Sequence, residues 1–599
     1  LKQACAKTAH AKLSSDPLRS RVQEAYRMTS TTAETVAGRW SDRLTGWRVW
    51  ALLAIAVVAW LPGVMALPAL DRDESRFAQA SRQMVETGNY IDIRLGAAPR
   101  YNKPIGIYWL QSAVVKAARV VVRNAQDKIA FYRLPSFLCG LLALFLTFWT
   151  TRAFASVEVS FFAAALLGLT LLLAAESEIA TTDAALLAAI LAAQGVLLRA
   201  KLAFGEQRAL PRGLTLAGWV AVGAGILIKG PVIAGVLGAT ALALSLWERD
   251  WRWLKATRLV SGVAAAIAVA APWAIAIGLA SHGAFYKQSL GHDFAAKIAG
   301  GQESHGAPPG YFLVLTNLAF WPATLFLIPA LDLAVRRRNE PAVRFLIAWA
   351  ASAFVLFELV PTKLPHYILP AYPALAILAA LWVAETPALP ETRWQRLFRT
   401  IACVQFGLVA LAFAAVPFVL PQRFGASSPS WTTLSSLLGM LAAGAAIFLT
   451  VRRERRGALA AAGICALLFY PTLTAGVAPQ LRQLWISERV ASAVARDARP
   501  HDPPLVSAGY AEPSLLFRLG GSTRLATGEA AANIAAAQGG VALITDDERG
   551  AFLARLVELQ AIAVPVDQLS GFDYSRGRKE HMTLYRVSQV PQELDPPAE

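Results

Sequence analysis

Thirteen apolar runs constrain what this chain can fold into more than any other feature. They lie at 47–68, 132–151, 158–175, 181–198, 214–228, 231–247, 259–280, 311–335, 342–360, 364–384, 400–420, 433–451 and 457–477. A helix needs about 20 such residues to cross the ~30 Å hydrocarbon core of a bilayer. The composition agrees: 56% of the 599 residues are hydrophobic and only 16% are charged, where a soluble chain carries about a quarter charged. The chain reads as a polytopic α-helical membrane protein. Its net charge of +17 falls mostly in short clusters between the runs, the pattern that sets topology, so no nucleic-acid partner is expected.

The clusters Arg39/Arg43/Arg48, Arg199/Lys201/Arg208/Arg212, Arg249/Arg252/Lys255/Arg258, Arg336/Arg337/Arg338/Arg344, Arg393/Arg396/Arg399 and Arg452/Arg453/Arg455/Arg456 fall on one side of a thirteen-span arrangement. The positive-inside rule makes that side the cytoplasm. The segment 104–122 is nearly apolar enough for another span, but counting it would turn every later cluster outward. It is read as an amphipathic helix in the outer interface. Residues 1–46 are then expected to form a cytoplasmic tail, open to being in part a processing remnant, with the first span as an uncleaved anchor. Residues 47–477 form the membrane domain, with outer loops 70–131 and 281–310. Residues 478–599 alternate helical stretches (487–499, 547–560) with strand-like runs (504–510, 541–547, 561–567, 582–588), which predicts a C-terminal soluble α/β domain on the outer face. The four cysteines have no metal or disulfide spacing.

Charged residues at the outer ends of the spans carry the chemistry. Asp71-Arg72-Asp73-Glu74-Ser75-Arg76-Phe77 opens a helix that Gly88 closes, with Phe77, Ala80, Met84 and Val85 on one face. Asp71 or Asp73 can cap that helix, or the carboxylates with Arg72 and Arg76 can form a catalytic site. Three lysines precede a proline: Lys103-Pro104, Lys229-Gly230-Pro231 and Lys363-Leu364-Pro365. A helix start with an added lysine suits a phosphate, although boundary lysines also anchor spans by snorkelling. Glu176, Glu178, Asp183 and Glu358 are further acidic candidates, Asp183 equally an N-cap. Six of seven histidines fall outside, and Glu303-Ser304-His305 with His292-Asp293 is the one pattern offered for a divalent cation. It matches no metal signature, and a hydrogen-bonded structural role stands beside it.

Asp73-Glu74-Ser75-Arg76-Phe77-Ala78, Tyr101-Asn102-Lys103-Pro104 leading to Tyr108-Trp109, Thr182-Asp183-Ala184, Lys229-Gly230-Pro231 and Lys363-Leu364-Pro365-His366-Tyr367-Ile368-Leu369-Pro370, in that order, resemble the lipid-phosphate-dependent C-type membrane glycosyltransferases. These include the protein mannosyltransferases and, closest in layout, the bacterial 4-amino-4-deoxy-L-arabinose (aminoarabinose) lipid A transferases. Asn102 stands where this family often has an acidic residue.

The resemblance implies transfer of a sugar from undecaprenyl phosphate to a phosphate of lipid A, on the periplasmic face of the bacterial inner membrane. The outcome would be resistance to polymyxin and cationic antimicrobial peptides. It implies Asp73 and Glu74 at the chemistry, Arg76, Lys103 and Lys297 on the donor phosphate with Lys229 and Lys363 as second choices, and Asp183, Tyr367, His366 and Asn102 around the cavity. Donor, acceptor and membrane lipids are the expected partners of a monomer, and no cofactor beyond an optional divalent cation is called for. A transferase of another sugar, or a transporter using the membrane charges as a pathway, remains open. The charges gather at one membrane face, which favours one-sided chemistry over alternating access.

Overall fold

Apolar sequence becomes helix at all thirteen positions, but the helices are not thirteen straight spans. In a computed structural model, residues 47–289, 291, 306–385, 391–425 and 427–589 are described. Ten of their helices are long and apolar enough to cross a membrane, from Trp47–Ala66 to Arg455–Gln480, and an eleventh is the pair Val157–Leu169 and Leu171–Glu178, bent by 64°. The chain is a multi-pass membrane protein. Of the two remaining runs, one forms Val232–Glu248, 17 residues or about 25 Å long. The other breaks into Tyr311–Ala319 and Thr324–Arg336. From Ala56 onward the described residues belong to one compact unit, and of those before it 47–55 are described and almost wholly helical.

The two breaks satisfy each other. Irregular backbone at membrane depth survives only where its polar groups find partners within the protein. At the first break the Leu171 N–H donates to the Trp321 carbonyl at the second, 2.9 Å away. The Tyr470 hydroxyl lies 2.5 Å from the Leu169 carbonyl and 3.1 Å from that of Trp321.

Burial separates centre from rim. Helices Asp183–Gly205 and Pro365–Ala384 are 83% buried over their apolar windows, against 22% for Leu259–Ala280 and 28% for Arg393–Phe424. The rim helices direct Val260, Ile275, Leu408 and Leu411 outward, as lipid-facing helices must. The two most enclosed helices begin with Asp183 and with Pro365-His366-Tyr367, so the fold draws three of the sequence candidates, Asp183, His366 and Tyr367, into the middle. The amphipathic segment forms a 13-residue helix, Gly106–Ala118, about 20 Å long and too short for a span.

The C-terminal region carries a five-stranded sheet. With β1 (Arg94–Leu95) and β2 (Ala98–Pro99) forming a small hairpin in the first outer loop, its strands are β3 (Val506–Ala508), β4 (Arg524–Ala526), β5 (Gly540–Thr545), β6 (Ala561–Asp573) and β7 (Arg578–Gln589), in the order β4-β3-β5-β7-β6. β3 is parallel to β4 and β5, and β7 is antiparallel to β5 and β6. Alternate residues of a strand face opposite ways. Ala542 and Ile544 of β5 pack with Ala532, Ala535 and Phe552 on one side, and Val541 and Leu543 with Ile486 and Val490 on the other. Covered on both faces, β5 is apolar from Val541 to Ile544.

Candidate active site

Where the first span ends, the chain turns through Pro68 into helix Asp73–Thr87, whose N-cap residue Arg72 has a φ of 64° and no side-chain cap. This left-handed turn, unusual for a residue with a Cβ, sends three acidic residues to three destinations. Neither Asp71 nor Asp73 caps the helix.

Asp71 faces the C-terminal region. Its N–H donates to the Tyr574 hydroxyl at 2.6 Å, and its carboxylate pairs with the Ser514 hydroxyl. Burial pushes its carboxyl up to about 7, against the Ser514 hydrogen bond and with the charges of Glu512 and Asp573 adding to the rise. Arg72 follows the same direction, donating to the Ser575 carbonyl at 3.0 Å.

Glu74 turns inward and is fully engaged. Arg133 grips it with Nε on Oε1 and Nη2 on Oε2, both at 2.7 Å, while the Leu70 and Ala180 N–H groups donate to it at 2.9 and 2.8 Å. Arg133 gives its remaining bonds to the carbonyls of Val64, Leu67 and Pro68. All five guanidinium donors and about four carboxylate acceptor positions are thus used, and both side chains are buried. Glu74, expected beside Asp73 at the chemistry, instead ties the turn to helix Ile129–Thr151.

Asp73 is the exposed one, with 58% of its side chain accessible and Arg76 Nη1 at 3.6 Å from its carboxylate. The buried Arg100 lies 5.2 Å from the Phe77 ring centroid and 3.3 Å from the Tyr108 hydroxyl.

A cavity of about 940 Å³, counting the open space at its mouth, is lined by Lys103, Asp183, Lys229, Phe357, His366 and Tyr367 among others. Two glycines bring the lysines there. A Cβ on Gly106 would lie 2.8 Å from the Leu227 carbonyl, so only glycine lets the Lys103 loop approach the end of helix Arg212–Lys229 this closely. Gly230, with φ 68°, then turns the chain immediately after Lys229. Lys229 Nζ is 2.6 Å from Asp183 Oδ1 and 5.3 Å from the Tyr367 ring centroid. His366 stands between two carboxylates, Nδ1 at 3.8 Å from Glu176 and Nε2 at 3.9 Å from Asp183. Thr181 and Thr182 hold those carboxylates through hydrogen bonds of 2.7 and 3.2 Å. The result is a cationic and hydrogen-bonding floor beneath apolar walls, able to seat a phosphate whose lipid tail remains in hydrocarbon.

Other candidates lie elsewhere. Lys363 Nζ is 2.9 Å from Glu358 Oε2 and 2.6 Å from the Glu358 carbonyl, with 2% of its side chain exposed. Asn102 accepts a hydrogen bond from Gln288 at 3.2 Å. Lys297, His292, Asp293, Glu303 and His305 fall outside the described residues. Arg133 was not singled out from sequence, although an arginine just inside an apolar run needs a partner and could have been sought on that ground.

Residues 47–282 match the family described as dolichyl-phosphate-mannose-protein mannosyltransferase. The chain is 28% identical over 379 residues to the undecaprenyl phosphate-alpha-4-amino-4-deoxy-L-arabinose arabinosyl transferase of Pseudomonas paraeruginosa, covering 62% of this chain and 66% of that one. It is 28% identical over 348 residues to the protein of the same name from Pseudomonas aeruginosa, covering 58% and 61%. The matched segments thus span just under two thirds of these relatives. The crystal structure of ArnT from Cupriavidus metallidurans bound to undecaprenyl phosphate superimposes with a TM-score of 0.71 at 20% identity, over 92% of this chain and 99% of that one. The resemblance read from the motifs is borne out, and the fold is that of the solved ArnT structure.

Proposed function

We propose that this chain, sharing the fold of ArnT, is a lipid-phosphate-dependent glycosyltransferase that moves 4-amino-4-deoxy-L-arabinose from undecaprenyl phosphate to a phosphate of lipid A. The reaction takes place at the periplasmic face of the inner membrane. One observation carries the reading: Lys103, Asp183, Lys229 and the His366-Tyr367 pair come from four separate motifs and line one cavity.

An acceptor phosphate oxygen attacks the anomeric carbon of the donor sugar, and the bond to undecaprenyl phosphate breaks with its electrons leaving on the phosphate oxygen. The charge growing there is stabilised by cations held in a poorly hydrated space. Lys103 and Lys229 supply them, with Arg76 and Lys297 as further donors. Lys229 spends one of its three donors on Asp183 and directs the others to the leaving group. Asp183 and His366 keep that ammonium in position. An acceptor phosphate is already anionic near neutral pH, so Asp73 has little proton to remove. It orients the acceptor or binds the amino group of the sugar. The aminoarabinose adds positive charge to lipid A and weakens its attraction for polymyxin and other cationic peptides.

Mass spectrometry of lipid A tests this reading, in a transferase-deficient Gram-negative strain that makes the aminoarabinose donor. Expression of the wild-type chain is expected to place a pentosamine on a lipid A phosphate, and Asp73→Asn to abolish it at equal membrane abundance. Unmodified lipid A with the wild type present would point to another sugar or acceptor, and full modification by Asp73→Asn would remove that residue from the mechanism.

A further inference from the structure

A second cavity lies along the same helices, about 15 Å from Asp183 towards the end of helix Asp183–Gly205. It measures about 860 Å³ with its open margin, and its walls include Val196, Leu197, Gly218, Trp219, Gly238 and Ala241. A Cβ added at Gly238 would meet nothing within 4 Å, so the space reaches the backbone of helix Val232–Glu248.

The few polar groups on its walls are already satisfied. The Trp219 indole donates to the Thr257 carbonyl at 2.9 Å, and the Thr215 and Thr257 hydroxyls donate to the Pro211 and Leu254 carbonyls. Water entering here would find no partners, which disfavours hydration and favours hydrocarbon.

Basic residues neighbour the lining in sequence. Arg212 lies one helical turn before Thr215, while Lys255 and Arg258 alternate with the lining residues Leu254, Thr257 and Leu259. The nearby acids are committed to other cations: Glu248 pairs with Lys201 and Arg344, and Asp250 with Arg252. Arg212, Lys255 and Arg258 enter no ion pair among the described residues. The positive-inside rule assigns this end to the cytoplasm.

We propose that this cavity binds an anionic phospholipid of the cytoplasmic leaflet, one acyl chain filling the space and the phosphate resting among Arg212, Lys255 and Arg258. The site is separate from the transfer cavity and does not depend on which sugar is moved there.

Native mass spectrometry of the full chain tests the assignment, after exchange into micelles doped with phosphatidylglycerol or phosphatidylcholine. The wild type is expected to retain phosphatidylglycerol about tenfold better or more. Gly238→Leu, whose Cβ would meet nothing within 4 Å and whose side chain would occupy the space, is expected to lose the bound lipid while keeping its thermal midpoint in lipid-free detergent. Lys255→Gln with Arg258→Gln, altering only charge, is expected to equalise the two lipids. Equal retention of both by the wild type, retention unchanged in Gly238→Leu, or displacement by added undecaprenyl phosphate would each overturn the proposal. If Gly238→Leu does not fold, the double variant decides: an unchanged preference overturns the site.

Discussion

Lys229 and Lys363 share a sequence signature, a lysine just before a proline at the end of a span, and the fold uses them differently. Lys229 lies on the cavity wall, paired to an aspartate that is also approached by His366. Lys363 is enclosed by Glu358, whose carboxylate also accepts the N–H groups of Gly310 and Phe312 at 3.2 and 2.8 Å. Glu358 thereby satisfies the exposed start of helix Tyr311–Ala319, and Lys363 neutralises Glu358. What separates the two lysines is the other work done by the acid beside each. A carboxylate that holds a helix start fixes its lysine as structure, whereas one at a cavity wall leaves its lysine able to meet a ligand.

Substitutions can break or sharpen that contrast. The largest loss of stability is expected for Arg133→Met, which leaves Glu74 buried without its cation, at about 3–5 kcal/mol; thermal unfolding of the purified protein reads it, and Glu74→Gln on top should restore part. Lys229→Met is expected to lower transfer by about 10²-fold to 10³-fold, with a smaller drop in thermal midpoint than Arg133→Met. Lys363→Met is expected to cost about 1–3 kcal/mol and leave transfer per folded molecule within about threefold. The contrast fails if Lys363→Met halts transfer in a protein of normal stability.

A further effect concerns pH. Asp71 titrates at about 7 in the fold against an ordinary 3.8, so between these values the folded state holds a proton that the unfolded chain has released. Stability from this group is complete below about 4 and declines as pH rises through about 7. Thermal midpoints measured across that range should fall, and Asp71→Asn should flatten the slope.

The apolar runs were legible because a bilayer demands length and composition, which a sequence displays directly. The two breaks were less so. A proline at position 322 was a visible signal, but the bond from Leu171 to the Trp321 carbonyl joins residues far apart in the chain. The strand-like runs of the C-terminal region became β3, β5, β6 and β7, whereas short β4 carries too few residues for a period. At the site, Asp73 and Glu74 carry the same sequence signal, yet neighbours on a helix point about 100° apart, and Glu74 turns inward to Arg133 while Asp73 stays exposed. The pairing of Lys363 with Glu358 could not be seen because several residues of each helix end invited the same reading.

The left-handed turn at Arg72 has a genetic consequence. Asp71 and Asp73 flank it, one held by Ser514 and Tyr574, the other exposed near Arg76. Alleles altering Ser514, Tyr574 or Asp71 should therefore be recovered in a screen for lost transfer together with those altering Asp73. The Ser514 and Tyr574 alleles would lie more than 400 positions from Asp73 in the chain and yet share its defect, because one turn couples the two stretches.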